Sequence, residues 1–527
     1  MTHRDDFRAY YAADIRSAEA PVIDAAPTDA VMRRAAWAVA DVARTVVRAQ
    51  EVIGDGAGHI YGASAAGLIG AGDNGGDGLY ALTDLARSGM AVHAILLAPD
   101  RAHSRALAAL RRAGGRVHEP AGAEAIEERL RRLRPDVALD AIVGLGASGP
   151  PREMAGHAAG ILEELRTPVV AVDIPSGIDP DTGVRHPGAI RPSATVTFGL
   201  FRRAHLLAST DCGALELADI GIGAPADDRG RPVETLTSIG TATAGALWPV
   251  PGVSDNKYSG GVVAIRAGSQ RFPGAAVLAS HAAVMSTSAM VRYVGPCREQ
   301  VLTDRPEIVA SSVVTNAGRA QAWVAGPGMG TGPETAQELA WILSQDVPVV
   351  LDADALRVLA EHPSILRRRE APLVLTPHAG EFDALAQTFA PAHAGLLAGD
   401  RAGAVRGLVT ELDSRGVNAT VLLKGRITLI DDGRTAFAQD AGTSWSATPG
   451  SGDVLAGMIG AILAAREGPG ALSTAEVPRA VAIAQVVHSV AARLAAEEFG
   501  RPGSPIGASD LLGAIGEAVA KVRAVAG

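Results

Sequence analysis

The feature that most restricts this chain is a repeating alternation. Short apolar runs, each closed by a Gly-rich or polar turn, are mostly followed by Ala/Leu/Arg segments of helical period. Uninterrupted apolar runs belong to strands buried on both faces, so the alternation dictates parallel sheets covered by helices, an α/β protein. In the first half the strands read as HIYGASAAGLIG, AVHAILLA, DVALDAIVG, TPVVAVDI and ATVTFG, with helices over Ser104 to Gly114 and Arg152 to Arg166. The stretch GIGAPADDRGR, Gly221 to about Arg231, interrupts this with Gly, Pro and Asp and reads as a linker. The second half restarts with GGVVAIRAGS, QAWVAGPG, VPVVLDADAL, APLVLTPHAGEF and NATVLLKGRITLI, the last expected to pair with TAFAQ. Helices are expected over Val454 to Arg466 and Ala480 to Glu498. A chain of 527 residues suits two large domains, expected over 1–225 and 240–527 with a linker over 226–239.

Charge and cysteine content narrow the function. Lys+Arg 48 against Asp+Glu 57 leaves a net charge of −9, which argues against nucleic acid or an anionic membrane as a partner but leaves a basic pocket for a small phosphorylated ligand open. The start, MTHRDDFRAYYAADIRSAEA, has no apolar core of a leader peptide, and Val454 to Ala465 is too short to span a bilayer, so a cytoplasmic protein is expected. Cys212 and Cys297 lie far apart with no zinc-type spacing and are expected to be reduced and buried.

In the first half, LIGAGDNGGDGLYALTDLARSG is a strand, a turn holding Gly70, Gly72, Gly75, Gly76 and Gly78, then a helix. Such a turn allows positive φ angles and lays a ligand on backbone N–H groups at a helix N-terminus, where anions are favoured. A single Gly-Asp pair there would be an ordinary Asx turn; the whole block points to a phosphate-bearing ligand. Downstream, DAIVGLGASGPPREM places Asp140 at a strand end and Gly144, Gly146 and Gly149 in a G-x-G-x-x-G, with Pro150 and Pro151 opening a helix. Loops at the carboxyl ends of adjacent parallel strands share one crevice, so Gly72 to Asp77, Asp140 to Gly149 and Asp173 to Gly177 are expected to form one site. Asp140 and Asp173 are also in position to cap helices. In a shared crevice Asp140 would serve as general base or acid, and Asn74, Asp140 and Ser176 supply hard oxygens for a monovalent or alkaline-earth cation.

GDNGGDGLYAL, DAIVGLG and VDIPSGIDPDTG together resemble the NAD(P)H-hydrate epimerase domain over roughly residues 5 to 223. The resemblance implies a Rossmann-like three-layer α/β/α domain that interconverts the R and S hydrates of NADH and NADPH (NADHX and NADPHX). It makes Asp140 catalytic and Asn74, Asp140 and Ser176 the ligands of K+. Asp73, Asn74, Gly75, Gly76 and Asp77, then Gly144, Leu145, Gly146, Ala147, Ser148, Gly149 and Pro150, and finally Asp173 become substrate contacts. Asp73 stands where the family commonly has a second asparagine.

In the second half, SATPGSGDVLAGMIGAILAA sets Gly450, Ser451 and Gly452 before a buried helix with Asp453 in its first turn. Amides and the helix dipole form an anion hole there, and a carboxylate beside it can take a proton from a hydroxyl. The plainer alternative is Ser451 as N-cap with Asp453 favouring the dipole. VAGPGMG (Gly326, Gly328, Gly330), VLTPHAGEF (His378, Glu381) and VLLKGRITLI (Lys424 to Thr428) are further strand ends facing the same crevice, with Lys424 to balance phosphate charge and Glu381 to reach Mg2+ through water.

These motifs, with NKYSGGVVAIRAGSQRFPGAAVLAS and LDADAL, resemble ADP- or ATP-dependent NAD(P)H-hydrate dehydratases of the ribokinase-like superfamily over roughly residues 240 to 520. The resemblance implies a ribokinase-like α/β/α domain in which phosphoryl transfer to the hydroxyl of the S hydrate precedes elimination, with Asp453 as base. It places Ala275, Gly328, His378 and Asp453 on the hydrate, and Lys424, Gly425, Arg426, Ile427, Thr428 and Gly452 on ADP or ATP, used with Mg2+. Both families often assemble, so a homo-oligomer is expected. The alternative is a ribokinase-like kinase for a small vitamin precursor carrying an N-terminal nucleotide-binding module.

Overall fold

The computed structural model describes residues 5–51, 59–146, 149–227, 229–254, 256, 260–287, 290–465 and 476–526. The chain divides into two compact units, Arg8–Thr235, and Met1–Phe7 with Leu236–Gly527.

The N-terminal unit is built on a seven-stranded parallel sheet. Its strands run spatially Arg116–His118, Ala91–Leu96, Ser64–Ile69, Val137–Ala141, Val169–Val172, Ala194–Phe198, Ala214–Ala218. Its central strands are buried on both faces, as their largely apolar composition requires, with Asp140, Thr195 and Thr197 the buried polar exceptions. Helices Ala30–Glu51, Gly72–Arg87 and Ser104–Arg112 pack into one apolar layer and Ala123–Leu133 and Glu153–Glu164 into the other. The chain leaves strand Ser64–Ile69 in one direction and returns at Val137–Ala141 on its other side, which opens a crevice between their carboxyl ends. The helices Ala12–Ala25 and Ala30–Glu51 precede the first strand of this sheet.

The same reversal recurs in the C-terminal unit. Ten strands run spatially Val309–Ser311, Met290–Val294, Val262–Arg266, Ala322–Ala325, Val349–Leu351, Arg369–Leu375, Val417–Leu423, Ile427–Asp431, Ala436–Asp440, Leu236–Ser238. The pairs up to Val417–Leu423 are parallel, and the next two are antiparallel. NATVLLKGRITLI is therefore two strands, folded back at Lys424–Arg426, and the second pairs with Ala436–Asp440. The helix Ser451–Ala465 is buried along nearly its whole length. Two glycines let it approach: a Cβ on Gly457 would lie 2.2 Å from the Ala279 carbonyl oxygen, and one on Gly460 2.1 Å from Val324 Cγ2.

Candidate active sites

In the N-terminal unit the crevice is a cavity of about 1220 Å³. Asp73, Asn74, Asp77, Gly144, Leu145, Gly146, Gly149, Pro150, Asp173 and Ser176 line it; Ala147 and Ser148 lie outside the described residues. Most of the glycine block lies inside the helix rather than in a turn before it. The helix begins at Gly72, so Gly75, Gly76 and Gly78 sit inside it, and only Gly72 has positive φ, +74°. A Cβ on Gly75 would lie 2.3 Å from the Gly70 carbonyl oxygen, one on Gly76 2.7 Å from Met32 Sδ, and one on Gly78 2.3 Å from Ala141 Cβ. Gly75 and Gly78 let this helix lie close on the sheet and Gly76 makes room for Met32 of the helix Ala30–Glu51, while the first turn, with Asp73 and Asn74, faces the cavity. Pro150 and Pro151 likewise precede their helix, which starts at Glu153.

Asp140 is fully buried within its strand, behind Ser176. Ser176 donates its hydroxyl to Asp140 Oδ1 at 2.6 Å and its amide to Oδ2 at 2.7 Å. Burial raises the carboxyl to about 6 against these hydrogen bonds, which pull it down. Because the Ser176 hydroxyl hydrogen is engaged by Asp140, the oxygen keeps its lone pairs. The Asn74 and Asp173 side-chain oxygens approach one point, 3.1 and 3.2 Å from where a Gly144 Cβ would stand, so a larger residue there would press on both. The buried Asn74 Nδ2 has no hydrogen-bond acceptor among the described residues.

The same wall holds a charged group that no motif announced. Arg202, 1% exposed, has its Nε 2.9 Å from Asp173 Oδ1 and its Nη2 3.1 Å from Glu19 Oε1, and donates to the Phe198 and Leu200 carbonyls. Thr197 adds a hydroxyl to Asp173 at 3.1 Å. Asp173 itself has φ +71°, a strained conformation held by its N–H on the Val196 carbonyl. His205 accepts the Arg202 backbone N–H at Nδ1 and donates from Nε2 to the Asp173 carbonyl, so it is neutral, and burial depresses it to about 3. Asp77, in the same wall, is pushed well above the carboxylate range by burial and by Asp173, Asp73 and Glu19. At the far side Asp29 accepts from Arg105 Nε and Nη2 at 2.9 and 2.7 Å and from the Tyr80 hydroxyl at 2.7 Å, which hold it at about 2.

In the C-terminal unit three strand ends meet. Asp352 follows Val349–Leu351, Thr376 follows Arg369–Leu375, and Lys424 follows Val417–Leu423. Asp352 Oδ1 accepts from Lys424 Nζ at 2.6 Å and from Thr376 Oγ1 at 2.8 Å. Asp352 follows the same strand-end rule as Asp173, and LDADAL is the signal in the sequence that could have found it. Burial lowers the Lys424 ammonium, but Asp352, then Glu381 and Asp453, more than offset this and leave it raised. Asp453 stands beside this pair in the first turn of Ser451–Ala465, raised to about 7 by burial and by Asp352 against the opposing pull of Lys424.

Gly452 is tight against the pair: a Cβ there would lie 3.2 Å from Lys424 Nζ. The Ser451 N–H is engaged by the Thr448 carbonyl at 3.2 Å, whereas the amides of Gly452 and Asp453 meet no acceptor among the described residues. At this helix start the amides of Gly452 and Asp453 are therefore open to an acceptor, while Ser451's amide is engaged. Gly450, at φ +88°, makes the turn into the helix.

Ala275 and Gly328 are neighbours, since a Cβ on Gly328 would lie 2.9 Å from Ala275 Cβ. His378 caps its helix, accepting from the Gly380 and Glu381 amides, while Glu381 returns a hydrogen bond from the His378 N–H at 2.9 Å. Glu381 is thereby half occupied in a capping box, 3.9 Å from Lys424. Gly425 and Arg426 are exposed; Ile427 and Thr428 are buried in the following strand.

Two family models match the chain: the YjeF-related protein N-terminus over residues 28–204 and NAD(P)H-hydrate dehydratase over residues 263–512. The bifunctional NAD(P)H-hydrate repair enzyme Nnr of Mycobacterium leprae is 44% identical over 515 residues, covering 97% of this chain and 99% of that protein. The protein of the same name from Corynebacterium glutamicum is 37% identical over 585 residues, 96% and 97% of the two chains. Among solved structures, an ADP/ATP-dependent NAD(P)H-hydrate dehydratase from Bacillus subtilis co-crystallised with ATP/Mg2+ is 22% identical with a TM-score of 0.43, over 54% of this chain and 97% of that one.

Proposed function

We propose how the work is divided in this chain, which belongs to the family of bifunctional NAD(P)H-hydrate repair enzymes: the N-terminal unit epimerises the R and S hydrates of NADH and NADPH, and the C-terminal unit dehydrates the S form with ADP or ATP. The observation that carries this reading is that each unit holds a buried carboxylate raised toward neutrality, Asp140 to about 6 behind Ser176 of the cavity wall and Asp453 to about 7 in the first turn of its helix. Such groups exchange protons near neutral pH.

In the C-terminal unit Asp453 takes the proton of the ring hydroxyl as that oxygen takes the terminal phosphoryl group of the nucleotide. Phosphate then leaves while the adjacent ring carbon gives up a proton, the electrons of that C–H bond forming the restored ring double bond, and phosphate departs far more easily than hydroxide. Lys424 balances phosphate charge, and the Gly452 and Asp453 amides hold phosphate oxygens. The hard oxygens of Asp352 and Asp453 suit Mg2+, which would enter on the nucleotide and neutralise its phosphates. Ala275, Gly328 and His378 lie at the hydrate, and Gly425 and Arg426 at the nucleotide.

In the N-terminal unit Asp140 is the proton-transfer group, and Asn74, Asp140 and Ser176 are the oxygens that would hold K+; the free lone pairs of Ser176 fit that role. Bound there, K+ supplies a fixed positive charge for a substrate oxygen. Asp173, held by Arg202, and the Gly144 to Pro150 loop bind the substrate.

The test supplies the purified full chain with mixed R and S hydrates, Mg2+ and ADP or ATP, and follows recovery of reduced-nicotinamide absorbance. Complete recovery is expected, with only the S fraction recovered promptly by Asp140→Asn. Phosphorylation of a vitamin alcohol with no hydrate repair, or unchanged R-to-S exchange in Asp140→Asn, would overturn the assignment.

A further inference from the structure

His488 lies in the helix Val477–Ala496, buried, and touches the anion hole from behind. Its Nε2 is 3.1 Å from the Ser451 carbonyl oxygen and 3.2 Å from Ser451 Oγ. A carbonyl oxygen only accepts, so Nε2 carries the hydrogen; the other tautomer would aim a lone pair at that oxygen. Burial holds the ring near 4, so it is neutral at physiological pH. A protonated Nε2 cannot accept from Ser451 either. The serine oxygen is then the acceptor in a shared hydrogen bond, and its own hydrogen is turned away from His488. Ser451's amide is already occupied by Thr448, which leaves the hydroxyl as that residue's remaining donor next to the free amides of Gly452 and Asp453.

We infer that the Ser451 hydroxyl donates to a phosphate oxygen held in the Gly452–Asp453 amide cradle, and that His488 is a positioning residue that fixes the direction of that hydroxyl by donating to Ser451 from the buried side. This rests on the proposed nucleotide-dependent dehydration and adds two residues to it, one binding and one positioning. It also explains why a neutral histidine, rather than an aliphatic side chain, stands at this point of a largely apolar helix packed against Ser451–Ala465.

The experiment measures nucleotide affinity by titration calorimetry, and kcat and KM of dehydration, on full-length Ser451→Ala, Ser451→Thr, His488→Leu, His488→Gln and the double variant. Loss of a hydrogen bond to a charged group corresponds to roughly 10- to 100-fold, so Ser451→Ala should weaken phosphate-dependent binding or kcat by that factor. Ser451→Thr should restore most of it. His488→Gln, which keeps an N–H donor, should be milder than His488→Leu, and His488→Leu should add little in the Ser451→Ala background, with thermal unfolding showing each variant folded. Native-like turnover and binding in Ser451→Ala, or equal costs of His488→Leu in both backgrounds, would overturn the inference. A native chain that neither binds nucleotide nor dehydrates the hydrate would instead sink the functional assignment.

Discussion

Replacing Asp453 by asparagine removes a charge while keeping the side chain's shape, and the two consequences should have opposite signs. The folded C-terminal unit raises this carboxyl from 3.8 to about 7. At about 1.4 kcal/mol per tenfold, holding it ionised costs the fold up to roughly 4 kcal/mol, less whatever solvent reaches the group, so about 2–4 kcal/mol. The pH window follows from the sign. Between 3.8 and about 7 the unfolded chain has lost a proton that the folded chain keeps, so native stability drains away across that range and levels off above it. The amide of Asp453→Asn has no proton to lose. In calorimetry of the full chain, the variant should therefore melt with the native protein near pH 4 and about 4–8 °C above it at pH 8, taking roughly 2 °C per kcal/mol for a unit of this size. The same variant should lose about 10²- to 10⁴-fold in kcat for dehydration, because the base is gone. A variant no more stable than native at pH 8, or a gain equal at pH 5 and pH 8, would refute the reasoning that links burial to basicity.

Arg202→Met leaves Asp173 and Glu19 without their buried cation and should destabilise the N-terminal unit by roughly 3–5 kcal/mol, seen as an earlier melting transition, with weakened substrate binding. Lys424→Met should raise KM for the nucleotide and shift the dehydration pH profile upward, because the cation that opposes Asp453's rise is removed. Gly78→Ala would set a methyl 2.3 Å from Ala141 Cβ, costing about 1–3 kcal/mol and abolishing epimerisation before dehydration, which two separate rate assays would show.

The strands were legible because a strand buried on both faces leaves a nearly continuous apolar run, and SAAGLI, VALDA and VVAV are such runs, broken only by Ser64 and Asp140. The edges were not: Arg116–His118 and Val309–Ser311 are three residues each, too short to show a period. Ala30–Glu51 is amphipathic, but its buried face is mostly alanine set among arginines, a weak signal beside the strands. NATVLLKGRITLI read as one strand because Lys424-Gly425-Arg426 lacks the usual turn pair, and the fold-back is fixed by tertiary pairing instead. The glycine block was legible as a special site, but its inner glycines also allow close packing on the sheet and on Met32, a demand that composition does not separate from phosphate binding. Asp140, Lys424 and Asp453 could be named since they close apolar runs or open a helix, and Ser176 because it stands in the motif VDIPSGIDPDTG. Arg202, Glu19 and His488 sit far from any motif, and only folding brings them there.

The two raised carboxylates have a common cause and different neighbours, and this sets the order in which the two activities respond to acid. Burial is the largest influence on both. Asp140 is then pulled down by the hydroxyl and amide of Ser176 and settles at about 6, whereas Asp453 is pushed up by Asp352 and settles at about 7. If each must be ionised to accept a proton, about half of Asp140 but only about a tenth of Asp453 is active at pH 6, and over about nine-tenths of both at pH 8. The ratio of dehydration to epimerisation rates in one preparation should therefore rise about five-fold from pH 6 to pH 8. Asp352→Asn, by removing the charge that raises Asp453, should flatten that rise while leaving the epimerisation profile in place. Parallel profiles for the two reactions, or a flattening that appears in epimerisation instead, would show that the rate-setting protons belong to other groups.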